Sequence, residues 1–339
     1  MKRLSAGLDN YCLSARNMMP VEMLKWAHEN GAEGVAFSGY DDDARELFTS
    51  SYLRNTKKLA DDLDLYIEWG NGQHVPMDLV KFSPKEIYHS NRIAVGEAYG
   101  LGVSIIRSCS GGLMRWEKDS PATEVLLKET ARELKKEASL FRDNGVVLAI
   151  ETHFEFTTFE LLRLFEMCEV EPGDYLGICL DTMNLITMLE DPVSATERIL
   201  PWVVSTHIKD GGVIKENDDL ITFPVPLGAG IIEFDKIIAS LVSTGRQINL
   251  SVEDHGGSFR LPVGEDWFIE RFSDLTSDEF DRIMKLSELT SHKIMNSGLS
   301  ITERDDWRSL CMERTRENIR NLKKIRDRII ASDATAIQV

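Results

Sequence analysis

The 339-residue chain carries 39 basic and 56 acidic side chains, a formal charge of −17 that repels phosphate backbones and disfavours nucleic acid as a partner. A hydrophobic fraction of 42% is that of a globular chain rather than a disordered one, and no apolar run approaches the roughly 20 residues of a membrane helix, so no membrane partner is expected. Cys12, Cys109, Cys168, Cys179 and Cys311 are scattered and form no CxxC pair, and Met1-Lys2-Arg3 leads into no apolar signal segment, so reduced thiols and a cytoplasmic location are expected.

Eight short apolar runs read as strands, at 4–8, 34–38, 65–69, 104–108, 146–151, 176–181, 203–208 and 249–253. The stretches between them carry helical spacing. In 124–142, Leu127, Ala131, Leu134, Ala138 and Phe141 fall on one helical face. Glu29-Asn30-Gly31, Gly100-Leu101-Gly102 and Asp143-Asn144-Gly145 are helix-ending signals ahead of strands. Continuous apolar runs suit strands covered on both faces. Eight of them alternating with helices over about 255 residues predict an α/β fold, the (β/α)8 TIM barrel. A doubly wound sheet would want a glycine-rich loop after its first strand, where Leu8-Asp9-Asn10-Tyr11 stands instead.

The barrel accounts for residues 1–257, and a C-terminal helical extension follows. Thr276-x-x-Glu279 and Ser300-x-x-Glu303 read as capping boxes. The pattern Trp307, Leu310, Ile319, Leu322, Ile325 and Ile329 predicts a closing helix over 303–330, with 331–339 a frayed tail. Residues 258–302 are then an insertion after the eighth strand, on the face that carries the active site in such barrels. Phe259, Arg260, Trp267, Phe268, Arg271 and Phe272 suit it to be a lid over the mouth or a subunit interface of a homo-oligomer.

Polar residues at the C-terminal ends of barrel strands converge on one mouth. Strands five to eight end in Glu151-Thr152-His153, Asp181-Thr182-Met183-Asn184, His207-Ile208-Lys209-Asp210 and Glu253-Asp254-His255. Glu151, Asp181, His207 and Glu253 facing one another would force protonation of some carboxylates unless a cation joins them. Three carboxylates and one imidazole favour one hard or borderline divalent ion, Mn²⁺ foremost, then Mg²⁺, Co²⁺ or Zn²⁺. The plainer alternative is that each carboxylate caps the helix after its strand.

These pieces, with Pro226-Leu227-Gly228-Ala229-Gly230 leading into a helix, resemble the xylose isomerase-like sugar phosphate isomerase/epimerase superfamily over residues 1 to about 257. The resemblance places Glu151, Asp181, His207 and Glu253 at metal-ligand positions. It also gives Glu151 and Glu253 the proton transfers, on opposite faces of a small sugar or polyol, through an enediolate held on the metal. The first half-reaction is shared by epimerisation, isomerisation and elimination. An isomerase or epimerase is therefore the leading expectation, and a lyase or dehydratase on a keto-sugar, keto-inositol or oxidised glycoside is the alternative. Asn184 stands where some relatives carry a histidine, so no second metal is implied there. A DNA-repair endonuclease of the same fold would need histidines at early strand ends, and Phe37-Ser38-Gly39-Tyr40 has none.

Around the ligands, His153 is a candidate base, and Lys209 and His255 are candidate substrate contacts, each two residues beyond a ligand. Glu68 and Arg107, at the ends of strands three and four, are expected to pair with each other or bind a polyol, because a charge inside a barrel needs a partner. Asp210 is expected to pair with Lys209, and Trp69 and Trp116 are candidates for an apolar wall. The Gly228-Ala229-Gly230 turn either offers amides to an anion or simply feeds the next helix.

Overall fold

The computed structural model describes residues 4–78, 80–110 and 112–336; Met1-Lys2-Arg3 lies outside them. Its strands β1 (Ala6–Asp9), β2 (Gly34–Phe37), β3 (Tyr66–Gly72), β4 (Ile105–Ser108), β5 (Val147–Glu151), β6 (Leu176–Asp181), β7 (Val203–Ile208) and β8 (Leu250–Val252) run parallel and close on themselves. Closure sets Ala6 opposite Leu250 and Leu8 opposite Val252. The architecture is the (β/α)8 barrel read from the sequence. β6, Leu-Gly-Ile-Cys-Leu-Asp, is buried along its whole length because one face meets the barrel interior and the other the helix layer.

The helices follow their strands on the outside. Thr123–Asp143 buries Leu127, Ala131, Leu134 and Phe141, the face its spacing defines. Thr276 caps Ser277–Ser297 by accepting the Glu279 N–H at 3.2 Å. Ser300 caps no helix: the closing helix starts at Trp307 after a turn at Arg304–Asp306. That helix also runs on to Ala336, into the stretch read as tail; Ala-Ser-Asp-Ala-Thr-Ala contains no helix breaker, and its alanines favour continuation. Residues 337–339 lie outside the described residues.

Two loops at the mouth cooperate in a way the strand pattern does not announce. The chain leaving β7 folds into a hairpin, Asp210–Glu216 against Asp219–Val225, and the chain leaving β8 adds Phe259–Leu261 as a third antiparallel strand. Asn217, at φ 57°, turns the hairpin in the left-handed region that asparagine tolerates. Helix Ser277–Ser297 lies along the hairpin, and Thr290 Oγ1 accepts the Val213 N–H at 3.1 Å. The aromatic side chains of this segment are used within the chain rather than left as an exposed patch. Phe268 and Phe272 are buried, and Trp116 donates to the Arg260 carbonyl at 2.8 Å. Arg115, wholly buried, binds Glu160 and the Arg271 carbonyl together. Among the described residues no helix is long and apolar enough to cross a membrane.

Candidate active site

Register brings the strand-end residues together. β5 and β6 align Glu151 with Cys179, β6 and β7 align Asp181 with His207, and the Glu253 N–H extends the ladder to the Ile208 carbonyl at 3.1 Å. One donor atom from each of Glu151, Asp181, His207 and Glu253 lies within 4.8 Å of the other three, and all four residues are buried. Glu151 and Glu253 also line a cavity of about 310 Å³ whose wall includes Arg107, His153, Lys209 and His255.

The electrostatics are those of a cluster short of positive charge. His207 Nδ1 lies 3.3 Å from Glu151 Oε1 and 3.6 Å from Glu253 Oε2, while its Nε2 lies 3.3 Å from Asp9 Oδ2. Burial disfavours the imidazolium, yet Cys179, Glu151, Glu253 and Asp9 together hold His207 well above its ordinary value. Lys209 Nζ sits 2.9 Å from Asp181 Oδ2 and 2.6 Å from Glu253 Oε2, and against the cost of burial those carboxylates keep it charged. Arg107 binds Glu151 and the Ser38 carbonyl; opposing burial, it and His207 pull the Glu151 carboxyl below its ordinary range.

A divalent ion fits this donor set. Asp181 Oδ2 and Glu253 Oε2 are buried and share a single facing charge, Lys209 Nζ at 2.9 and 2.6 Å. Buried acceptors short of partners are costly, and three carboxylates with one imidazole are ligands for a hard or borderline ion. The helix-capping alternative holds for Asp181 alone, and only for its other oxygen: Oδ1 accepts the N–H groups of Met183 at 2.9 Å and Asn184 at 2.8 Å, leaving Oδ2 to face Lys209. Asp9, missed in the sequence, positions His207. Its Oδ1 takes the Tyr11 N–H at 2.7 Å and the Ser38 hydroxyl at 2.5 Å, and Oδ2 faces the imidazole from behind, as a carboxylate does when it orients a ligating histidine. Its signal was its place at the end of the first strand.

The remaining candidates divide. His153 reaches the cavity with Nδ1 3.1 Å from Glu155 Oε2, and Glu155, which the sequence reading passed over, is buried. His255 Nε2 lies 3.4 Å from Lys209 Nζ and its Nδ1 3.0 Å from the Gly256 carbonyl; burial and the Lys209 charge lower its pKa to about 4. Asp210 does not pair with Lys209. Its carboxylate accepts N–H groups from Gly211, Gly228, Gly230 and Ile232, at 2.8, 2.8, 2.9 and 3.3 Å. The glycine turn is thus closed around an internal anion, and a Cβ at Gly230 would meet Asp210 Oδ1 at 2.1 Å. Trp69 is buried and donates to Glu97 at 2.9 Å, away from the mouth, while Trp116 packs edge-on against Phe154 and Phe268.

Glu68 is the clearest displacement. β3 continues to Gly72, so Glu68, opposite Ala36, is a mid-strand residue below the mouth rather than its last one. It accepts from Asn249 Nδ2 at 2.7 Å and does not meet Arg107. Burial raises its pKa from 4.5 to about 7, against the Asn249 hydrogen bond and the His207 charge. The unfolded chain loses this proton near its ordinary value and the folded barrel keeps it longer. The stabilisation is therefore complete below the unfolded pKa and is lost as pH rises through the folded one. Glu68→Gln keeps an acceptor for Asn249 and removes the titration, so near pH 8 it is expected to be more stable than wild type by about 3 kcal/mol. Denaturant unfolding at about pH 5 and pH 8 measures this; a gap that does not widen with pH would refute it.

The fold and this constellation of buried donors define a barrel of a known class. A family model described as the xylose isomerase-like TIM barrel matches residues 24–270, and the chain belongs to that family. It is 28% identical over 260 residues to 3-oxo-isoapionate decarboxylase of Pectobacterium atrosepticum, covering 74% of this chain and 85% of that one. To 3-dehydroshikimate dehydratase of Bacillus anthracis it is 23% identical over 249 residues, covering 69% and 85%. It is also 23% identical over 228 residues to the uncharacterised protein YihM of Escherichia coli, covering 67% of this chain but 64% of that relative, less than two thirds of its length. The solved structure of L-ribulose 3-epimerase shares the fold, with a TM-score of 0.61, 16% identity and 98% of each chain covered.

Proposed function

We propose that the chain is a divalent-metal-dependent isomerase or epimerase of a small sugar or polyol, working by removal of a proton alpha to a carbonyl. The observation that carries this reading is the convergence of buried donors from Glu151, Asp181, His207 and Glu253 beside an open cavity that Glu151 and Glu253 line. A divalent ion bound there would neutralise the carboxylates and polarise a substrate carbonyl. Asp181 and His207, the latter fixed by Asp9, serve as ligands. Glu253 takes the proton on a carboxylate that faces the Lys209 ammonium at 2.6 Å. Glu151, clamped by Arg107, stands across the site to return it. His153, held by Glu155, reaches the cavity beside the substrate, and Lys209 and His255 hold substrate oxygens. Phe259, from the insertion 258–302, borders the cavity with Phe154, and we read that segment as a fixed lid that limits water at the reacting carbon.

A lyase is the second reading. It is favoured by the relatives named as a decarboxylase and a dehydratase and by the cationic wall of Arg107, Lys209 and Arg304, which suits a substrate bearing a carboxylate. One experiment tests both. Mn²⁺-loaded protein is incubated in D₂O with ketoses, keto-inositols, oxidised glycosides and keto acids. Deuterium is expected at the carbon next to the carbonyl of the true substrate, with a new stereocentre or a shifted carbonyl for the first reading and a new double bond or loss of CO₂ for the second. Absence of exchange and of turnover across the whole panel would contradict both.

A further inference from the structure

Beside the four-residue cluster lies a second group of donors with different chemistry. Cys109 follows β4, and His153 and Glu155 follow β5. A Cys109 sulfur, a His153 ring nitrogen and a Glu155 carboxylate oxygen lie within 4.8 Å of one another. Glu155 is 1% exposed, and its two oxygens are committed: Oε1 to the Gly112 N–H at 3.1 Å and Oε2 to His153 Nδ1 at 3.1 Å. Cys109 is half-buried while the other four cysteines are buried, and both it and His153 line the cavity. Wholly buried beneath them is His74, whose Nδ1 lies 2.8 Å from Ser108 Oγ and whose Nε2 has no partner.

We propose that Cys109, His153 and Glu155 form a second metal site, for a soft or borderline ion such as Zn²⁺ or Co²⁺, separate from the carboxylate-rich cluster. One thiolate, one imidazole and one carboxylate are the ligand types of such ions, whereas the Glu151 cluster offers no sulfur. A buried carboxylate needs positive charge beside it. An ion held by the Cys109 sulfur, His153 and Glu155 would supply that charge. Three protein ligands leave a coordination position open, and the side on which Cys109 and His153 are exposed is the substrate cavity.

The test is a Co²⁺ titration of metal-free full-length protein, with bound metal counted and near-ultraviolet absorption recorded. Two equivalents are expected, one of them bringing a thiolate-to-cobalt charge-transfer band. Cys109→Ser should lose the band and one equivalent. Cys179→Ser should keep both. His207→Ala should lose one equivalent and keep the band, which separates this site from the first whether or not the proposed reaction holds. In wild type, Zn²⁺ should slow alkylation of Cys109, a reading that needs no variant to fold. Absence of the band at saturating cobalt, its survival in Cys109→Ser, its loss in Cys179→Ser, or alkylation unaffected by Zn²⁺ would each overturn the proposal.

Discussion

His207→Ala is expected to weaken Mn²⁺ binding at the carboxylate cluster by at least about 100-fold, because changes to partners that only orient a ligand already cost about 10–100-fold. Turnover should fall with occupancy. Alanine at this position removes the one ligand that is neutral when it binds an ion; because it also leaves the buried Asp9 facing no imidazole, folding of the variant is checked alongside by denaturant unfolding. Glu151→Ala would remove a ligand too, but it would leave the Arg107 guanidinium, 11% exposed, without its carboxylate, and breaking such a buried pair costs about 3–5 kcal/mol. Loss of fold and loss of metal would then be confounded. Elemental analysis of dialysed protein decides the matter, with Mn²⁺ chosen because the thiolate-containing site does not favour it. About one equivalent retained in His207→Ala would remove the imidazole from the ligand set.

The second large effect is expected at Glu253. An amide oxygen in Glu253→Gln can still face the ion and Lys209 Nζ, but it accepts no proton at neutral pH. Deuterium exchange at the substrate carbon should therefore drop by about 10²–10⁴-fold while much of the metal stays. The comparison is exchange rate per bound Mn²⁺ in variant and wild type. Near-normal exchange would move the base elsewhere, and His153→Asn would then be the deciding variant.

The barrel was legible because strands buried on both faces appear as uninterrupted apolar runs, and eight of them alternate with helical spacing. The clustering of Glu151, Asp181, His207 and Glu253 was legible because each stands at the end of its run or one residue from it. Where the end of a run is not the end of the strand, the same reasoning misplaces residues. β3 passes Trp69 and shifts register against β4 between Trp69 and Gly72, so Glu68 falls a layer too low to be a mouth residue. The hairpin from Asp210 to Val225 went unread because its polar edges and Pro224 mask a short alternation. Asp9 and Glu155 each stand beside a histidine, Asp9 from a strand on the far side of barrel closure, and such partnerships exist in space rather than in spacing. Ser300 shows the converse: a cap signature without the helix start that would use it.

The orientation of His207 depends on segments far apart in the sequence. Asp9, its backing carboxylate, comes from the first strand, and that strand is held at its other flank by the last helix. Arg326 donates to the Leu4 carbonyl at 3.1 Å, and Trp307 Nε1 reaches the Cys12 carbonyl at 3.0 Å. The carboxylate behind His207 is thus steadied by contacts that join positions 322 and 295 residues apart in the sequence, so a lesion in the last helix would be felt at the imidazole.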